Sequence, residues 1–126
     1  MSISPGDIRI RVKCRYLREQ SRPEEKKFVF SYTITIANLG RSAAQLMSRR
    51  WLITDASGRT QKVAGAGVVG ETPVIEPGTD YTYSSGAIIE TKSGTMSGAY
   101  QMRAADGAEF EVPIPEFVLL PPDMLH

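Results

Sequence analysis

The chain has 126 residues, 41% of them hydrophobic and 23% charged, and its 15 Lys and Arg against 14 Asp and Glu leave a formal charge of +1. That length suits one hydrophobic core, and the composition excludes a disordered chain. Near-neutrality argues against a nucleic acid or a membrane surface held by overall charge, and no run approaches the ~20 apolar residues that span a bilayer.

From residue 8 to residue 16 the side chains alternate: Ile8, Ile10, Val12, Cys14 and Tyr16 on one side, Arg9, Arg11, Lys13 and Arg15 on the other. Period two predicts a half-buried strand. Residues 18–27, polar and containing Pro23, form a loop. Phe28, Phe30, Tyr32, Ile34 and Ile36 then alternate with Val29, Ser31, Thr33, Thr35 and Ala37, a second strand rich in aromatic and β-branched residues. Asn38, Leu39, Gly40 and Arg41 supply a turn, and a third strand over about 45–54 carries Trp51 as a core anchor. Asp55, Ala56, Ser57 and Gly58 turn into a short strand over 59–63, which leads to the glycine-rich stretch 65–70. Pro73 and the pair Pro77, Gly78 break regular structure, and strands through Tyr81, Tyr83 and Ser85, through Tyr100, Met102 and Ala104, and through Phe110, Val112 and Ile114 complete the set.

Six or seven strand segments separated by turn residues, with no helical pattern, predict an all-β antiparallel sandwich of the immunoglobulin or fibronectin type III kind. The whole chain, 1–126, is expected to form a single domain with its core at about 7–120 and a flexible terminus at each end. The tail, residues 113–125, holds Ile114, Phe117, Val118, Leu119 and Leu120 between prolines. It either lies across the sandwich and covers apolar surface or forms a strand that pairs with a second subunit or a partner, which leaves a homodimer open.

Gly65, Ala66, Gly67, Val68, Val69 and Gly70 fit G-x-G-x-x-G, whose glycines let amides approach a pyrophosphate where a helix follows. Here Glu71, Thr72 and Pro73 follow, so the dinucleotide reading fails on context. Two readings of the stretch stay open. A loop nest could bind a pyrophosphate-type anion with help from Arg49, Arg50, Arg59 and Lys62, if strand pairing gathers them. Alternatively the glycines serve positive φ and close packing, with Val68 and Val69 covering the core edge.

Nothing in the sequence assembles a catalytic group. The single histidine, His126, is terminal, and Cys14 lies on an apolar strand side as an inert thiol. Glu24 with Glu25, and Glu109 with Glu111, read as solvated carboxylates. No metal ligand set or cofactor is expected. The basic row of the first strand has phosphate-like spacing but no interleaved aromatics, so it reads as protection of a sheet edge. One cysteine cannot form an internal disulfide, and Met1, Ser2, Ile3, Ser4 and Pro5 lack the start of a secretory signal. A cytoplasmic setting is expected.

Several segments, taken in order, resemble the ApaG family: Arg50-Trp51-Leu52-Ile53-Thr54-Asp55, the stretch from Gly65 through Thr72 to Pro73, Pro77-Gly78, Tyr83-Ser84-Ser85-Gly86, Gly94-Thr95-Met96-Ser97-Gly98-Ala99-Tyr100 and Ile114-Pro115-Glu116-Phe117. The resemblance runs over about 8–120. It implies a fibronectin type III-like sandwich, a bacterial setting linked to cobalt and magnesium resistance and to dinucleoside polyphosphate metabolism, and a suggested pyrophosphate role for Gly65, Gly67 and Gly70. It assigns no catalytic residue. The function expected from sequence is therefore binding of an unidentified protein partner, with a pyrophosphate or nucleotide sensor as the alternative.

Overall fold

The structure, a computed structural model, describes residues 3–122. Strands β1 (Ile8–Tyr16), β2 (Phe28–Asn38), β3 (Ala44–Asp55), β4 (Thr60–Ala66), β5 (Val74–Ile75), β6 (Asp80–Ile89), β7 (Gly94–Ala104) and β8 (Glu109–Leu119) follow in chain order. Three-residue 3-10 turns at Pro5–Asp7, Arg18–Gln20 and Pro23–Glu25 are the helical segments among the described residues. β1, β2 and β6 form one antiparallel sheet in that order. The second runs β4-β3-β7-β8, with β5 added beside the start of β3. Two antiparallel sheets enclosing an apolar interior make a β-sandwich, as the alternation predicted.

The interior follows from the period-two pattern. In β2, Phe30, Tyr32, Ile34 and Ile36 are all but sealed from solvent at 0–5% exposure, while Ser31, Thr33 and Thr35 face outward. Trp51, on β3, meets Tyr32, Tyr100 and Phe117 in edge-on or tilted ring contacts at centroid separations of 5.4, 6.5 and 5.9 Å. Burying an aromatic side chain of this size contributes a few kcal/mol, and edge contacts add about 1 kcal/mol each. Asn38 closes one end of the sandwich: its Nδ2 donates to the Ser42 and Ile75 carbonyls at 2.9 Å each, and its Oδ1 accepts from the Gly40 N–H at 2.9 Å.

Four expectations change. The short fourth strand runs to Ala66, so Gly65 is a strand residue paired with Arg49. Pro73 and Pro77 do not abolish pairing between them, because Val74 and Ile75 reach Gln45 and Ala44. The apolar tail is not separate from the last strand: β8 continues through Pro113 and Pro115 to Leu119 and pairs with β7 of the same chain. Proline is tolerated there because β8 ends its sheet and one side of its backbone has no ladder to break. Finally, Ile3 joins the core at 7% exposure, N-terminal to the expected start. The end of the tail, including His126, lies outside the described residues.

Candidate functional site

The glycine stretch folds as a turn held on all sides by backbone. Gly67 N–H donates to Met47 O at 2.8 Å, Val68 N–H to Glu71 O at 2.8 Å, and Glu71 N–H to Val68 O at 2.9 Å. The last two bonds close a two-residue turn over Val69 and Gly70, whose φ values of 48° and 79° are both positive. Positive φ at both central positions is the signature of a type I′ hairpin turn. Gly67 also has positive φ, and a Cβ there would lie 2.1 Å from Glu71 O, so no other residue fits without moving the turn. Arg49 braces the approach: its Nη1 donates to the Ala66 and Gly67 carbonyls, each at 3.1 Å. A Cβ on Gly65 would come within 2.9 Å of that same nitrogen.

Two consequences follow for an anion. The N–H groups of Gly67, Val68 and Glu71 are committed to backbone acceptors, so among the motif's turn amides Val69 and Gly70 are left. The nearby guanidinium, Arg49, spends a donor on carbonyl oxygens of the loop itself.

The other expected residues do not converge on this turn. Arg50 and Lys62 share the outer face of the larger sheet, where Arg50 pairs with Ala64 and Leu52 with Lys62 across β3 and β4. They flank a shallow depression of about 570 Å³ floored by Leu52, Ala64 and Gly98. Arg50 is salt-bridged to Glu111, which raises the guanidinium pKa and lowers that of the carboxyl, in each case first through their hydrogen bond. Arg59 lies at the opposite end of β4 from the glycine turn, ~20 Å along a seven-residue strand, and pairs with Glu90. Gly65, Gly67 and Gly70 thus form one feature, Arg50 and Lys62 a second, and Arg59 a third.

Val68 and Val69 part ways. Val68 is fully buried, as expected of a residue covering the core edge, but Val69 at the turn tip is 62% exposed. A β-branched residue at positive φ is an outlier, since its side chain crowds the backbone there. No sequence signal marks that conformation.

Two further features escaped the sequence. Tyr83 and Tyr100, on opposing sheets, join their hydroxyls in a buried hydrogen bond. Burial pushes the Tyr83 pKa up to about 12 and drives that of Tyr100 upward as well. Asp55, buried at the end of β3, accepts from Ser57 Oγ at 2.6 Å, Ser57 N at 2.9 Å and Arg59 N at 3.0 Å. The Ser57 hydroxyl leads in holding the carboxyl below its ordinary range. Cys14 is half-buried and its thiol is pushed up by desolvation, away from the thiolate a nucleophile needs. Among the described residues no group of three or more His, Cys, Asp or Glu could hold a metal ion.

The ApaG domain family matches residues 18–104. Proteins called ApaG in Pseudomonas paraeruginosa and in a Shewanella strain are each 52% identical over 126 residues, covering the whole of both chains. The chain belongs to the ApaG family. A structural-genomics X-ray structure superposes with a TM-score of 0.91 at 51% identity, over 97% of this chain and 92% of that one. A Bordetella pertussis crystal structure, described as an ApaA protein, gives 0.90 at 46% identity, over 92% and 94%. This ApaG-family chain therefore shares its sandwich with solved relatives over nearly its full described length. No helix among the described residues is long and apolar enough to cross a membrane.

Proposed function

We propose that this ApaG-family chain is a non-catalytic protein-binding domain of the cytoplasm, a single sandwich of fibronectin type III-like form that presents its glycine turn and a sheet edge to a partner protein. The observation that supports this is Val69. An L-residue in the left-handed region costs about 1–2 kcal/mol, and glycine there would cost almost nothing. Here a β-branched apolar side chain occupies the tip of a braced turn and stands in solvent. Local strain retained at an exposed apolar tip has the pattern of a residue held in place for function. The cobalt, magnesium and dinucleoside polyphosphate associations of the family then act through that partner and not through chemistry in this chain.

The test is affinity capture from the native cytoplasm with Val69→Gly. That variant is expected to be more stable by about 1 kcal/mol in urea unfolding while losing the captured protein. Capture undiminished by the substitution would overturn the role of the turn. The sensor reading keeps two amides, those of Val69 and Gly70, which a pyrophosphate titration followed by NMR would report.

A further inference from the structure

The two outer faces of the sandwich treat their arginines differently. On the larger sheet Arg50 pairs with Glu111 and Arg103 with Glu109. On the smaller sheet, Arg9, Arg11, Lys13 and Arg15 all stand exposed along β1, and none has an ion pair among the described residues. Their neighbours across the sheet are small or hydroxylic. Arg11 faces Thr35 and Thr82, Lys13 faces Thr33 and Ser84, and Arg15 faces Ser31 and Gly86. Thr33 with Ser84, and Thr35 with Thr82, bond to each other at 2.7 and 3.0 Å, leaving a floor of short side chains beside a row of charges spaced ~7 Å apart. Asp80, two strands away in register with Arg9, is the one carboxylate in these rows.

β1 is also an unusual edge. It ends its sheet, carries no proline or bulge, and keeps unbroken register with β2 from Ile8 to Tyr16. β8 runs beside it in the other sheet without pairing to it. Its inward side chains Ile10, Val12, Cys14 and Tyr16 are half-buried where the equivalent row of β2 is sealed, and Phe117 on β8 is half-buried too. A strand added to β1 would therefore meet cations on its outer side and uncovered apolar surface on its inner side.

We propose that the edge of β1 docks an extended peptide segment of alternating acidic and apolar residues, which joins the smaller sheet as a fourth strand. Main-chain hydrogen bonds would give affinity and the alternating side chains specificity. A second copy does not fit, because self-pairing at β1 sets cation opposite cation, and like charges directly opposite destabilise a sheet. The chain's own acidic edge does not fit either, since Glu109 and Glu111 are engaged and Pro113 and Pro115 interrupt its donors. A single-stranded nucleic acid would match the charge spacing, but the floor offers it no aromatic ring and it has no strand backbone to pair with the edge.

The inference rests on the reading of the chain as a protein-binding domain. Its test is independent of Val69, so that capture through the turn can survive if the edge fails. The full chain is titrated with a soluble Glu/Val alternating peptide, its fully N-methylated form, a peptide of the same composition with the Glu and Val residues in separate blocks, and a mixed-sequence single-stranded oligonucleotide. NMR and amide exchange are read along β1. The alternating peptide is expected to give saturable shifts and slowed exchange from residue 8 to residue 16, at least about tenfold tighter than either peptide control. Arg11→Glu with Lys13→Glu, two exposed changes, is expected to abolish that binding and to admit a Lys/Val peptide. No binding at millimolar peptide, equal binding of the block peptide, or tighter binding of the oligonucleotide would each overturn the proposal.

Discussion

At Tyr83 and Tyr100 two buried hydroxyls satisfy one another across the sandwich. Removing one leaves the other buried and unpaired, at a cost of about 1–3 kcal/mol, whereas removing both takes away the polar pair together. Tyr83→Phe and Tyr100→Phe are each expected to destabilise by that amount, and the double variant by less than their sum. Urea unfolding of the three variants checks this, and strict additivity would mean that the hydroxyls are not coupled. This pair was not legible in sequence because its members lie on β6 and β7, in different sheets, and only tertiary packing brings them together. Trp51 was legible as a core anchor, since a lone indole within a β-patterned strand has few other places to go. Val69 was not, because its φ is imposed by the bonds between Val68 and Glu71 and not by its own preference.

Strands with clean alternation, β1 and β2, could be read directly, and so could the polar loop between them. The end of the last strand misled: read to Ile114, it continues through Pro115 to Leu119, because β8 is an end strand, where a missing N–H costs the ladder little. The turn after β3 makes its own test. Asp55 holds three donors, and its folded pKa is depressed below the unfolded value of about 3.9. The charged carboxylate therefore stabilises the fold above that pH, and its contribution is lost as pH falls from about 4 through the depressed folded value. Asp55→Asn keeps an acceptor for the turn but removes the titration. Below pH 4 the wild type is expected to lose stability more steeply than the variant, measured as urea midpoints from pH 3 to pH 7. Parallel curves would exclude Asp55 from the acid response.

On the scale of the whole molecule, near-zero net charge conceals a division of labour between faces. One sheet pairs Arg50 and Arg103 of its outer face with glutamates, and the other carries a row of cations along its edge with no ion pair among the described residues. The composition could exclude a uniformly basic surface, but not this partition, which depends on the register of strands distant in sequence. The same holds for the expected anion site. The spacing of Gly65, Gly67 and Gly70 was plain to read, yet the fold sends Arg50 and Lys62 to an outer face and Arg59 to the far end of β4. What gathers at the glycines is a turn that holds Val69 outward. The most direct check is an NMR titration with pyrophosphate, following the amides of residues 65–71. Unmoved resonances up to millimolar pyrophosphate are predicted for a turn whose purpose is shape. A saturable shift centred on Val69 and Gly70, accompanied by the Arg49 guanidinium, would contradict the account.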